Sequence, residues 1–254
     1  MSQVSVCIAS HNDPEGLYLT VFSALAQLEK SDLEWEIVIV ADGGTETKWE
    51  KAHDNIRVLR YGGGNKLGSP QASRDAGIRN CRYRNVLCLD SHVAISSISD
   101  WVSEHDRLEK VGLSFPAMVG TSLEMFKIYG NQMDFDNCFW NIQTFSQPFS
   151  WKPFRVCQCA HSAFIVNRDW YLESYGYTLE QHGYGGEESW LGGLAWMTGK
   201  ENWMIPTVYH AHYMPIGRND GAGQSEDFSR NFMIAAYVMG GDEYLKKVQK
   251  SLCS

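Results

Sequence analysis

The chain has 254 residues, 44% of them hydrophobic, so it can bury the core of one large globular domain. Its 22 basic and 30 acidic residues give a formal net charge of -8, which argues against broad, nonspecific binding to nucleic-acid backbones. No apolar run approaches the roughly 20 residues of a membrane span. The opening MSQVSVCIAS lacks the basic region and apolar core of a signal peptide, and the 7 cysteines follow no disulfide framework, so we expect reduced thiols and a cytoplasmic location.

Short apolar runs alternate with stretches of helical periodicity in the first part of the chain. Buried strands are predicted at 4–9, 35–42, 56–60 and 85–90, and helices at 15–30 and 69–81. This alternation is typical of an α/β protein. The sequence therefore predicts a mostly parallel, Rossmann-like sheet with helices on both faces.

Polar side chains follow three of these predicted strands. The strand tips are Ser10-His11-Asn12, Asp42-Gly43-Gly44 and Asp90-Ser91-His92. Ligands of α/β sheets bind beyond the carboxyl ends of the strands. We therefore expect one crevice to gather all three tips.

The second part of the chain is less regular. It predicts a strand at 156–168, a glycine turn and helix at 183–200, a strand at 202–214, a flexible loop at 215–227, and helix thereafter. The sequence contains no internal repeat and no linker. We expect a single domain over 1–254, with a nucleotide-binding half at 1–95 and an acceptor-binding half at 96–254.

Several segments together resemble the family 2 nucleotide-sugar glycosyltransferases, which have the GT-A fold. VSVCIASHNDPEGLYLTVFSALAQ is similar to the opening strand and helix of that family, IVIVADGGTE to its second strand, and NKLGSPQASRDAGI to its Ala-Arg-Asn segment. LCLDSH takes the place of the Asp-x-Asp metal motif. Its Asp-Ser-His form, followed by GYGGEE, resembles the polypeptide N-acetylgalactosaminyltransferases.

The resemblance implies a UDP-sugar donor. The candidate nucleotide-sugar contacts are Ser10, Asn12, Asp42, Gly68, Arg74, Asp90 and Arg218. Asp42 also fits an ordinary Asp-Gly turn, and Arg74 also fits the surface of a helix. Arg218 lies in the loop 215–227, whose glycines permit large backbone changes. That loop fits either a lid over the donor or a plain surface loop.

Asp90 and His92 lie on the same face of an extended segment and can reach one ion. Oxygen and imidazole ligands suit Mn²⁺ or Mg²⁺, which would neutralise a departing diphosphate. The resemblance places a further histidine ligand in VYHAHY, where the aromatic-His pattern favours His210 over His212.

Two adjacent carboxylates, Glu187 and Glu188, are predicted at the start of a helix. In inverting relatives a carboxylate there deprotonates the acceptor, which implies Glu188 as the base and Glu187 as the residue that orients the acceptor. The same pair also fits simple stabilisation of a helix N-terminus. The retaining relatives carry asparagine at the second position, so the stereochemistry stays open.

The acceptor is not specified by the sequence. A glycan hydroxyl, a protein side chain and a hydroxymethylated nucleobase all remain candidates. The alternative functions are a nucleotidyltransferase of related fold, a non-catalytic sugar-nucleotide-binding module, and a metal-dependent hydrolase built on Asp90, His92, His210 and His212.

Overall fold

The computed structural model describes residues 2–42, 49, 52–61, 70–119, 127–128, 131–132, 143–144, 151–159, 161–177, 181, 183, 185–213 and 226–252. The strands are β1 (Gln3–Ser10), β2 (Glu34–Asp42), β3 (Ile56–Tyr61), β4 (Asn85–Asp90), β5 (Val93–Ile95), β6 (Val111–Val119), β7 (Lys127–Ile128), β8 (Asn131–Gln132), β9 (Gln143–Thr144), β10 (Phe154–Arg155), β11 (Ala163–Asn167) and β12 (Glu201–His212). The helices are α1 (Pro14–Leu28), α2 (Pro70–Asn80), α3 (Ile98–Arg107), α4 (Arg168–Glu173), α5 (Glu187–Met197) and α6 (Glu226–Leu252), the last broken at Gly241.

The main sheet has the strand order β10-β12-β6-β11-β4-β1-β2-β3, with β5 paired to β12 and β7 to β6. Strands β4, β1, β2 and β3 are parallel, as the alternation of strands and helices predicts. Strand β11 then runs antiparallel to both of its neighbours, β4 and β6. Strand β12 is again parallel to β6, so the sheet is mixed, with β11 as the antiparallel strand between its two parallel parts.

Helices cover both faces of this sheet, because apolar side chains of the central strands point alternately to opposite sides. On one face Val6 and Ile8 of β1 pack with α1 and α3. On the other face Cys7 packs with α2, α4 and α5. No helix among the described residues is long and apolar enough to cross a membrane.

The elements of the first part agree closely with the sequence-based bounds, whereas one strand in the second part is shorter than predicted. The predicted strand at 156–168 contains β11, which spans only Ala163–Asn167. The glycine turn and helix predicted at 183–200 are confirmed, because α5 begins at Glu187 directly after the glycine turn and ends at Met197. Positive φ angles at Gly183, Gly185 and Gly186, which hydrophobic periodicity does not detect, form the turn before α5.

Candidate active site

The carboxyl ends of β2, β1 and β4 lie side by side. Ser10 is paired with Ala41 in the register of β1 and β2, and Ala9 is paired with Asp90 in that of β1 and β4. Asp42 is the last residue of β2 and is buried. Ser10, Asp42 and Asp90 are therefore brought together at this edge of the sheet, as the sequence predicts.

Asp90, His92 and His212 form a cluster at this edge. One potential ligand atom from each of the three residues lies within 4.8 Å of the other two. His212 Nε2 is 3.6 Å from Asp90 Oδ2, and the rings of His92 and His212 are 4.8 Å apart between centroids. One carboxylate and two imidazoles are a donor set that suits Mn²⁺ and related divalent cations.

The structure brings His212, and not the favoured His210, to Asp90 and His92. Both histidines lie on one face of β12, because strand side chains repeat every two residues. His212 ends the strand, opposite Val93 of β5, whereas His210 lies deeper in the sheet. His210 Nε2 is 2.8 Å from Ser162 Oγ, and burial lowers the pKa of His210 to about 3. His210 is therefore a neutral, buried histidine that contacts a serine.

Asp13, which the sequence reasoning missed, contacts this cluster. Its Oδ2 atom is 2.8 Å from His92 Nδ1 and accepts a hydrogen bond from Ser91 Oγ at 2.8 Å. Burial opposes ionisation of Asp13, but these hydrogen bonds outweigh it and lower the pKa of the carboxyl group. Because Nδ1 of His92 is engaged, its Nε2 atom is the one available to a cation. A carboxylate behind a histidine ligand is a recurring arrangement at metal sites, so the residues present fit a divalent cation.

Arg74 connects the cluster to the start of α5. This buried side chain donates a hydrogen bond from Nη2 to Asp90 Oδ1, and its Nη1 atom is 3.5 Å from Glu187 Oε1. Among the described residues, no hydrogen-bond partner satisfies the buried Nε atom of Arg74. Arg74 is thus not a surface residue of a helix, and it holds two carboxylates from different elements of the fold.

Glu187 and Glu188 begin α5 in surroundings that disfavour negative charge. Burial raises the pKa of Glu187, against the opposing effect of Arg74. Burial and the neighbouring Glu187 raise the pKa of Glu188 to about 8. A carboxyl group with such a pKa can gain and lose a proton near neutral pH, which is a property of general bases and acids.

The glycine turn before α5 explains how these carboxylates are placed. Gly186 caps the helix with φ of 81°, a left-handed conformation that favours glycine. A β-carbon at this position would also lie 3.0 Å from Asn231 Cβ of α6. Asn231 Nδ2 and Gln71 Nε2 both donate to the Gly185 carbonyl oxygen, at 2.9 and 3.1 Å. Helices α2 and α6 therefore fix the turn from two sides.

The remaining donor-site candidates lie around Asp42. Ser73 Oγ donates to Asp42 Oδ2 at 3.1 Å, and His11 Nδ1 is 2.7 Å from the Asp42 carbonyl oxygen. Asn12 is exposed on the loop after β1, with φ of 52°. Gly68, Arg218 and nearly all of the predicted lid at 215–227 lie outside the described residues.

Residues 5–173 match the family described as Glycosyl transferase family 2, which is well over half of the chain.

The chain belongs to glycosyl transferase family 2.

Solved structures agree with the family match. The structure of GalNAc-T7 with UDP, GalNAc and Mn²⁺ superposes with a TM-score of 0.77 at 18% identity, over 96% of this chain and 49% of that one. This family 2 chain therefore spans about half the length of GalNAc-T7. S. aureus TarS 1-349 superposes with a TM-score of 0.62 at 15% identity, over 99% and 71% of the two chains. Its complex with UDP-GlcNAc gives 0.65 at 14% identity, over 99% and 72%.

These likenesses confirm the predicted GT-A fold, and the likeness to GalNAc-T7 agrees with the predicted resemblance to the polypeptide N-acetylgalactosaminyltransferases. No curated protein sequence matches the chain significantly.

Proposed function

We propose that this family 2 glycosyltransferase moves a sugar from a UDP-sugar to an acceptor hydroxyl with the help of a divalent cation. The observation that carries the proposal is the cluster of Asp90, His92 and His212 at the carboxyl edge of the sheet, joined through Arg74 to Glu187. Each side of a transfer reaction has a counterpart there. The cluster serves the departing diphosphate, and the start of α5 serves the incoming hydroxyl.

On the donor side, Asp90, His92 and His212 would hold Mn²⁺ or Mg²⁺. When bound, the cation supplies neutralising charge for the diphosphate as the glycosidic bond breaks. Arg74 adds a fixed positive charge beside Asp90, and its buried Nε donor has no hydrogen-bond partner within the part of the chain that the structure describes. Ser10, Asn12 and Asp42 are proposed to contact the nucleoside, and Gly68 and Arg218 to contact the donor as well.

On the acceptor side, we assign Glu188 as the general base and Glu187 as the residue that orients the acceptor. The base must remove a proton from the acceptor oxygen while the sugar passes through a cation-like transition state. The pKa of about 8 makes Glu188 basic enough to take that proton. A base acting directly on the acceptor belongs to a single displacement, so the product is expected to have the inverted anomeric configuration.

The activity is tested by incubating the purified chain with a panel of nucleotide sugars and Mn²⁺. Slow release of free UDP from one or more UDP-sugars is expected, and EDTA should abolish it. The matched control is Asp90→Asn, which preserves shape and removes the ligand charge. Release that persists in EDTA, or that is equal in Asp90→Asn, would refute the metal-dependent reaction.

The acceptor is found by offering the identified donor to a glycan array, to protein substrates and to hydroxymethylated DNA in parallel. Transfer should exceed the slow donor hydrolysis for one of these classes. Hydrolysis alone across all three would contradict a transferase with an acceptor of these kinds.

A further inference from the structure

One stripe of α1 faces the turn that carries the metal-ligand candidates. Asp13, Gly16, Thr20 and Ser23 are spaced by three, four and three residues, so they line one side of the helix and its N-cap. We call these four residues the α1 polar stripe. Elsewhere this helix packs apolar residues such as Leu17 and Val21 into the core.

Thr20 and Ser23, at the C-terminal end of the stripe, form hydrogen bonds with the backbone of residues 90–95. Thr20 Oγ1 accepts from the Val93 amide at 2.8 Å and donates to the Asp90 carbonyl at 3.2 Å. Ser23 Oγ accepts from the Ile95 amide at 2.9 Å. The path of the chain through the turn is therefore fixed by side chains of α1.

Asp13, at the N-terminal end of the stripe, hydrogen-bonds to the side chains of Ser91 and His92, and His92 is one of the metal-ligand candidates. Asp13 accepts three hydrogen bonds: from the Gly16 amide on Oδ1 at 3.0 Å, and from Ser91 Oγ and His92 Nδ1 on Oδ2, each at 2.8 Å. A carboxylate can only accept hydrogen bonds, so Nδ1 of His92 must carry the proton. In the neutral ring the lone pair is then on Nε2, where a cation requires it.

Gly16 makes this approach sterically possible. A β-carbon at this position would lie 2.3 Å from Asp13 Oδ2 and 2.6 Å from the Ser91 carbonyl oxygen. The second of these atoms is backbone, which cannot rotate away. Only glycine lets the helix start lie this close to the turn.

We propose that Asp13 is a positioning residue that holds His92 in the tautomer with Nε2 free for a cation, and that Gly16 is required for this contact. The part of the proposal that concerns the cation rests on the proposed function. The part that concerns the tautomer does not.

The first test measures Mn²⁺ binding to the full chain by electron paramagnetic resonance. Asp13→Ser keeps a residue that caps helices well but is too short to reach His92. The dissociation constant should rise about 10- to 100-fold, the usual consequence of losing such a partner. Asp13→Asn keeps both the cap and the shape, so it should recover part of the affinity. Folding of each variant is checked by circular dichroism.

The matched control is Ser97→Ala, which removes the N-cap of α3, where Ser97 Oγ accepts from the Asp100 amide at 3.3 Å. It should lower the melting temperature without changing Mn²⁺ affinity. Unchanged affinity in a folded Asp13→Ser variant, or an equal loss in Ser97→Ala, would overturn the positioning role.

The second test uses nitrogen-15 NMR of the imidazole of His92 in metal-free protein. The wild type should show a protonated Nδ1, and Asp13→Ser should shift the ring toward protonated Nε2. If the wild type binds no Mn²⁺, the proposed function fails, while this spectrum still decides the role of Asp13. A protonated Nε2 in neutral wild-type His92 refutes it.

Gly16→Ala gives an independent test, because the substitution removes no polar group. Alanine ordinarily favours a helix over glycine by about 1 kcal/mol. The clash at the turn should nevertheless weaken Mn²⁺ binding about as much as Asp13→Ser does. Wild-type affinity in a folded Gly16→Ala variant would show that the close approach is not required.

Discussion

The turn at 90–92 together with Asp13, and the turn at 185–188, each contain two carboxylates, yet the surroundings of the two regions differ. In the first, Asp13 is surrounded by hydrogen-bond donors, and the pKa of its carboxyl group is lowered. In the second, burial and a neighbouring carboxylate raise the pKa of Glu188 to about 8. Residue type alone does not assign a role. A carboxylate that accepts several hydrogen bonds stays charged, whereas a carboxylate removed from water has a raised pKa and is more basic.

This contrast suits the two regions to different steps of the proposed reaction. A charged, well-organised group can hold and orient the ligands of a cation. A basic carboxyl group can accept the proton of a hydroxyl. Arg74 lies between the two regions and contacts a carboxylate from each. Substitutions in each region therefore test whether one region binds the cation and the other accepts the proton.

The largest effect is expected for Asp90→Asn. The substitution removes the carboxylate of the candidate metal cluster. A cation held there would contribute several kcal/mol of transition-state stabilisation. We expect kcat/KM to fall on the order of 10³-fold. Donor turnover at saturating Mn²⁺ measures this. Activity restored to the wild-type level by excess Mn²⁺ would mean that the carboxylate only contributes affinity.

Glu188→Gln should cost about 10²- to 10³-fold in kcat with acceptor, within the range for loss of a general base. Calorimetry should show nearly unchanged UDP-sugar binding, because the residue belongs to the other region. Proton NMR of the wild-type product completes the measurement. A retained anomer would exclude Glu188 as the base of a single displacement.

His212→Ala and His210→Ala form a matched pair on one strand. His212→Ala should weaken Mn²⁺ binding by more than about tenfold, since losing a residue that only hydrogen-bonds to a metal ligand already lowers the affinity by about that factor. His210→Ala should instead lower the melting temperature, because it leaves a cavity and removes the stronger of the hydrogen bonds of Ser162 Oγ. If His210→Ala alone abolished Mn²⁺ binding, the assignment of His212 would be wrong.

The smallest effect concerns pH. Glu188 keeps its proton up to about pH 8 in the folded chain but loses it near its ordinary 4.5 when unfolded. The stabilisation from this group is therefore present below pH 4.5 and is lost as the pH rises to 8. Glu188→Gln should flatten the fall in melting temperature across that window, while wild-type kcat/KM should rise toward pH 8. Parallel melting curves for the two proteins would contradict the raised pKa.

The sequence predicted the parts of this site that are contiguous in the chain. Asp90 and His92 lie at the end of an apolar strand, and the pair Glu187 and Glu188 follows a glycine turn, so pattern and resemblance were sufficient. The choice between His210 and His212 depended on where β12 ends relative to β5, which no local pattern specifies.

Asp13 was missed for a different reason. Its interaction with His92 requires α1 to dock against the turn after β4, far along the chain. The three-four-three spacing of the α1 polar stripe was nevertheless visible as small and polar residues in a mostly apolar helix. The sequence predicted a mostly parallel sheet but did not specify that β11 is antiparallel, because β11 pairs with strands that precede it by long intervals.

The pairing of β12 also has a consequence for how the chain folds. The strands β1 to β4 pair among themselves and can form early, during synthesis. His212 lies opposite Val93 only after β12, the last strand in chain order among the described residues, has paired with β5 and β6. Such distant pairings close slowly. The candidate cation site is therefore expected to form late in folding, and the appearance of Mn²⁺ binding during refolding would measure when this step occurs.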